Sequence, residues 1–121
     1  MEELSKAINI ICGVLEISEG LNLVGKKIDV NKYSTLRDTI PDRFVQIDEV
    51  FPQSELPQIW EGYKDYLIED EVFPFAGTLG DAVICIGYGI GNKMAIYYFD
   101  FDFGLVQMNS DDLYAFLEGL V

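Results

Sequence analysis

The chain has 121 residues, half of them hydrophobic, with 8 Lys and Arg against 21 Asp and Glu and a formal net charge of −13. That length and apolar content suit one domain, residues 1–121, whose core forms without disulfide or metal staples. The lack of His and of any CxxC pair argues against a zinc centre and imidazole chemistry, and the acidic balance makes nucleic acid a poor partner, because phosphate contacts need Lys and Arg.

The basic residues are also unevenly placed, since only Lys64 and Lys93 lie beyond Arg43. A basic protein partner suits such a surface, because complementary fields speed encounter and suppress wrong pairing. Solubility is the plainer explanation of the same charge. The start, Met1-Glu-Glu-Leu-Ser-Lys6, has no basic n-region, and no apolar run reaches the length of a membrane span, so a cytoplasmic protein is expected.

Glu2 to about Ile17 reads as an amphipathic helix, with Leu4, Ala7, Ile8, Ile11, Val14 and Leu15 at helical spacing and Gly20 as its stop. Leu21 to Val30 suggests one or two strands with a turn at Gly25-Lys-Lys27. Asn31 to Ile40 reads as a short helix ending before Pro41, because the residue before proline avoids the helical region. Arg43 to Ile47 is a short strand candidate, with Val45 and Ile47 on one face.

A second helix is expected from Ser54 as N-cap, with Pro57 in its first turn and Ile59, Trp60, Tyr63, Tyr66 and Leu67 on its apolar stripe. The acidic run Glu69-Asp70-Glu71 opposes the helix dipole at its C-terminus, so the helix should end by about Ile68. Val72 to Ala76 is a short strand.

The chain then enters its most apolar stretch. Asp81–Gly87 and Met94–Asp100 are apolar on both faces, as central strands covered on two sides should be. Gly87, Gly89 and Gly91 lie in the loop between them, where they are expected to supply the positive φ a reversal needs. Gly104 breaks the second strand, and Leu105–Met108 is a further strand. Ser110 caps a last helix, with Asp111 and Asp112 in its first turn and Leu113, Phe116, Leu117 and Leu120 on its buried stripe. Short loops between successive strands argue for an α+β domain, mainly an antiparallel sheet with helices packed on it.

Candidate chemistry is sparse. Gly87-Tyr-Gly-Ile-Gly91 is not a dinucleotide fingerprint, because Asn92 and then a strand follow where a helix should open. Cys12 and Cys85 read as small core hydrophobes. Asp100 and Asp102 share one strand face, with Tyr97, Phe99, Phe101 and Phe103 packing on the other. The aspartate pair reads as a solvated strand end, as part of a partner surface, or as a hard-cation site short of oxygen ligands. Trp60, Tyr63 and Tyr66 read as helix-to-sheet packing, with a recognition platform as the alternative. The exposed acids proposed to meet a partner are Glu69, Asp70, Glu71, Asp100 and Asp102.

Four segments together resemble the SUKH superfamily, which includes fungal cell-wall (glucan) synthesis regulators and bacterial immunity proteins. Phe73-Pro-Phe-Ala76 resembles its "PFA" strand, and Gly80-Asp81 followed by Val83–Ile86 its "G(D/N)" and apolar strand. Ile96–Asp102 resembles its "IYxxDH(D/E)" strand, with Phe101 where the family often has His, and Ser110–Leu120 resembles its closing helix. The resemblance covers about residues 70–121 and implies a cytoplasmic, non-enzymatic protein that neutralises a cognate toxin domain, often a nuclease. A regulatory or scaffold protein of the cell-wall regulator type is the alternative. A small hydrolase or metal enzyme using Asp81, Asp100 and Asp102 is a third reading, which expects those carboxylates to converge in a cleft. No cofactor or metal is expected.

Overall fold

Six strands follow one another in a single antiparallel meander: β1 (Lys27–Asp29), β2 (Phe44–Val50), β3 (Val72–Thr78), β4 (Val83–Gly87), β5 (Ile96–Asp100) and β6 (Gly104–Gln107). Among the described residues they are accompanied by the α-helices α1 (Ser34–Arg37), α2 (Leu56–Leu67) and α3 (Leu113–Glu118), which makes the fold α+β as expected. The computed structural model describes residues 23–108 and 113–121 together with Ser5, Asn9, Ile10 and Gly13. Those four isolated residues have helical backbone; the rest of the helix expected over Glu2–Ile17, its stop at Gly20, and the Ser110 cap with Asp111 and Asp112 lie outside the described residues.

The central hairpin forms where the paired apolar runs place it. Val83 faces Phe99, Ile84 faces Tyr98, Cys85 faces Tyr97 and Ile86 faces Ile96. Every residue of β3, β4 and β5 is buried, so these strands are covered on both sides. β3 carries Pro74, which has no N–H for a ladder. Two features accommodate it: pairing with β2 reaches only to Ala76, and the register against β4 shifts between Pro74 and Ala76. A second irregularity between Ile47 and Glu49 divides β2, whose first half pairs with β1 and second half with β3. This division curls the sheet.

Helix α2 packs on β3, with Trp60 stacked on Phe73 at 4.7 Å between ring centroids and edge-on to Tyr88 at 6.5 Å. Its entry differs from the expected one. A 3-10 turn at Gln53–Glu55 precedes it, and Glu55 stands at the cap position without a side-chain cap bond, so Ser54 is not the N-cap. A further 3-10 turn, Ile68–Asp70, ends at Glu71 in the left-handed region (φ 56). The segment expected as one helix over Asn31–Ile40 is a 3-10 turn, Val30–Lys32, opened by Asp29 accepting from Asn31 N, followed by α1.

Both open edges of the sheet are covered, which blunts edge-to-edge association. At β1 the backbones of Lys27 and Val121 exchange hydrogen bonds of 2.8 and 2.9 Å. At β6 the Thr35 hydroxyl of α1 donates to the Gln107 carbonyl at 2.6 Å. Lys32 Nζ donates to the Gly119 carbonyl at 3.0 Å, and Phe116 of α3 is fully buried, so the end of the chain is tied to the segment around β1.

Candidate functional site

In an antiparallel meander, alternate turns gather at one end of the sheet. Here the β3–β4 turn (Leu79-Gly80-Asp81) and the β5–β6 turn (Phe101-Asp102-Phe103) share an end with the start of β2. They border an open cleft of about 800 Å³. Asp42, Asp81, Asp100 and Asp102 line it with Tyr63, Tyr98, Phe44, Phe101, Phe103 and Leu79; Lys27 brings the cationic group among the described lining residues.

Each turn has a local cause. Thr78 is buried, and both its N–H and its hydroxyl donate to the Ala82 carbonyl, at 3.1 and 2.9 Å, which pinches out Leu79-Gly80-Asp81. The other turn is held by Asp100. Its Oδ1 accepts from Asp102 N at 2.9 Å and Phe103 N at 2.5 Å, and its Oδ2 accepts from the Tyr98 hydroxyl at 2.8 Å. Asp100 pairs with Gly104, which takes φ +83, so a three-residue loop closes on a left-handed glycine.

That geometry corrects two expectations. Asp100 is 8% exposed, so it is a buried turn-former and not part of an exposed acidic pair with Asp102. The strand ends at Asp100, so the alternation does not carry on to bury Phe101 and Phe103; they are 57% and 49% exposed. The signal in the sequence was the spacing Asp100…Gly104, an acceptor followed four residues later by the glycine a tight loop requires.

The exposed rings are not isolated. Phe101 stacks on Tyr63 at 5.7 Å and meets Tyr66 edge-on at 5.0 Å and Phe99 at 5.2 Å. Tyr66 is itself 57% exposed, so the α2 aromatics divide: Trp60 packs inward, while Tyr63 and Tyr66 extend a ring cluster to the surface. At the opposite wall, Lys27 Nζ lies 5.9 Å and Arg43 Cζ 5.1 Å from the Phe44 ring centroid.

The field in the cleft is negative. Burial first, then the Asp100 hydrogen bond and the charges of Asp100, Asp42 and Asp102, hold the Tyr98 hydroxyl well above its ordinary pKa. Tyr63 is raised by burial first, with smaller contributions from Cys85 and Asp81. The carboxylates of Asp42, Asp81 and Asp102 form no ion pair among the described residues. No group of three or more His, Cys, Asp or Glu is arranged to hold a metal ion, again among the described residues. The three aspartates of the enzyme reading do line one cleft, but both oxygens of Asp100 are already engaged in forming the turn. Cys85 is fully buried, and burial pushes its thiol far up, which leaves it an inert core side chain.

Glu69, Asp70 and Glu71 lie elsewhere. They precede β3, at the end of the sheet where β4 finishes and β5 begins, so β5 separates them from Asp102 by roughly 13 Å of strand. Asn92 organises that end. Its Nδ2 donates to the carbonyls of Asp70 (3.0 Å) and Glu71 (3.2 Å) and contacts Tyr97 Oη (3.1 Å), while its Oδ1 accepts from Gly89 N (2.9 Å). Gly87 and Gly89 serve this packing, Gly91 has open space around it, and none of the three takes the positive φ, which here falls on Met94 (φ 70). A Cβ at Gly87 would strike the Asn92 backbone carbonyl, and one at Gly89 would lie 2.7 Å from the Glu71 carboxyl carbon. The loop Asn was expected to tolerate a positive φ, and its tether to Asp70 and Glu71 was missed because those two partners are more than twenty residues away.

Among the described residues, no helix is long and apolar enough to cross a membrane. No curated protein matches the chain. The model of the RhsPI family matches residues 22–121. That family is of the toxin-immunity type, which implies a protein partner, a toxin, and suggests binding without catalysis. The matched span runs from before β1 to the end of the chain, through β1–β6 and α1–α3, and the chain belongs to the RhsPI family.

Proposed function

We propose that this protein is an immunity protein that acts in the cytoplasm by binding a cognate toxin domain and occluding its active site, with no chemistry of its own. The family match over residues 22–121 carries the reading. The SUKH-like motif order supports it from a second direction: the segments that resemble that superfamily include residues of β3, β4, β5 and α3. The net charge of −13 favours a basic toxin, and nucleases, whose sites attract phosphate, are the class that an acidic surface blocks best. The contact surface is the cleft end of the sheet, with Asp102 on its rim and Asp100 acting beneath it. Glu69, Asp70 and Glu71 form a separate acidic patch at the other end.

Capture tests this directly. Tagged protein recovered from its own cells in low and high salt should bring down a basic protein domain that elutes as salt rises. Expressed alone, that domain should arrest growth. A partner that is a cell-wall enzyme or kinase, harmless when expressed alone, would replace the immunity reading with the regulator reading.

A further inference from the structure

The cleft has a chemical character more specific than acidity. Its lining includes the exposed rings of Phe101 and Phe103, over which no cation of the described residues is placed. Beside them stand the carboxylates of Asp42, Asp81 and Asp102, which form no ion pair among the described residues, although Lys27 lines the same cleft. A flat cation with donors along its edge satisfies both surfaces at once: its face lies on a ring while its edge bonds a carboxylate. Guanidinium has that shape, whereas ammonium is a compact, strongly hydrated charge. The chain already shows the stacking half of the arrangement at the cleft wall, with the Arg43 guanidinium carbon 5.1 Å from the Phe44 centroid. A volume of about 800 Å³ admits a long side chain and the loop that carries it.

Resting on the immunity reading, we propose that the cleft receives an arginine side chain from a loop of the toxin, stacked on Phe101 and paired with Asp102 and Asp81. Arginine is the occupant because charge complementarity selects a cation, and the exposed rings beside the carboxylates select a planar one. The turn is built to present this pair. Asp100 takes the Asp102 and Phe103 amides of the tip, so the turn that carries Phe101 and Asp102 is formed without an induced rearrangement.

The test is an amide-resolved NMR titration of the full chain with three acetylated, amidated pentapeptides, glycines flanking a central arginine, lysine or citrulline. The arginine peptide should shift the amides of Gly80, Asp81, Phe101, Asp102 and Phe103, bind several-fold more tightly than the lysine peptide, and outbind citrulline clearly. Phe101→Ala and Asp102→Asn should each weaken the arginine peptide by about tenfold. Asp102 is exposed and Phe101 packs on Tyr63, Tyr66 and Phe99, so a single cooperative melting transition, together with amide shifts unchanged away from the turn, will show that each variant folds. Equal shifts from arginine and lysine, shifts centred on Glu69–Glu71, or no shifts at all would overturn the proposal. Toxin neutralisation is scored separately by growth. If growth is rescued but the peptides miss the cleft, the arginine site fails and the immunity reading stands; if growth is not rescued, that reading fails.

Discussion

Two aspartates two residues apart carry opposite duties. Asp100 is buried and shapes the turn, while Asp102 is exposed and contributes charge. Asp100→Ala leaves two backbone amides and the Tyr98 hydroxyl without their acceptor, so it should cost about 1–3 kcal/mol in urea unfolding. Asp102→Asn removes no structural bond, and its effect should stay within about 0.5 kcal/mol. Equal losses from the two would contradict this division. Tyr98 carries a pH signature of the same contact. Its folded pKa is raised by burial and by Asp100, and Tyr33 and Tyr63 are also raised, in each case first by burial. A tyrosine raised in the folded state stays protonated there while the unfolded chain ionises near its ordinary value of about 10. Stability is therefore fully present below about pH 10 and is lost as pH climbs through the folded values. Urea midpoints between about pH 8 and 11 should show the fall. Tyr98→Phe should flatten it, and a variant with an unchanged alkaline slope would count against the assigned cause.

At the level of elements, the long apolar runs were readable and the polar geometry was not. β4 and β5 lie within two residues of their sequence-based bounds, because an unbroken apolar run bounded by glycine admits few alternatives. β3 and β6 also fall where expected, each a residue or two different in extent, and Pro74 was tolerated in β3 because pairing with β2 stops short of it. β1 could not be separated from its turn, since a strand of three residues has no period to detect. The aromatic alternation past Asp100 misled for the opposite reason: Phe99, Phe101 and Phe103 keep a strand's spacing while the backbone turns. The glycine loop was recognised as a loop, but Gly87 and Gly89 are there to admit Asn92 and Glu71, and the Glu71 contact is one that local pattern does not contain. Asn92→Ala should therefore destabilise by about 1–3 kcal/mol, with the extra loss in amide protection confined to the β4–β5 loop and the residues around Glu71. Gly62 is the contrasting case. It lies exposed within α2 with open space where a Cβ would go, so Gly62→Ala should raise stability by about 1 kcal/mol in the same assay.

Among the described residues the curled sheet carries an acidic group at each end, and the two differ in more than position. The Glu69–Glu71 end is acidic beside a tethered loop, whereas the cleft end joins its carboxylates to exposed rings. Charge alone supplies steering and a strong dependence on salt; rings near the centre of a contact supply residence time. Both belong in an inhibitor that must find its toxin quickly and hold it. The direct measurement is growth of cells expressing the captured toxin with either the wild-type chain or the Asp42→Asn, Asp81→Asn, Asp102→Asn triple variant. The account predicts that the wild type restores growth and forms a stable complex, and that the folded triple variant does neither at equal expression. Persistent growth arrest beside a folded wild-type chain, or full rescue by the triple variant, would contradict it.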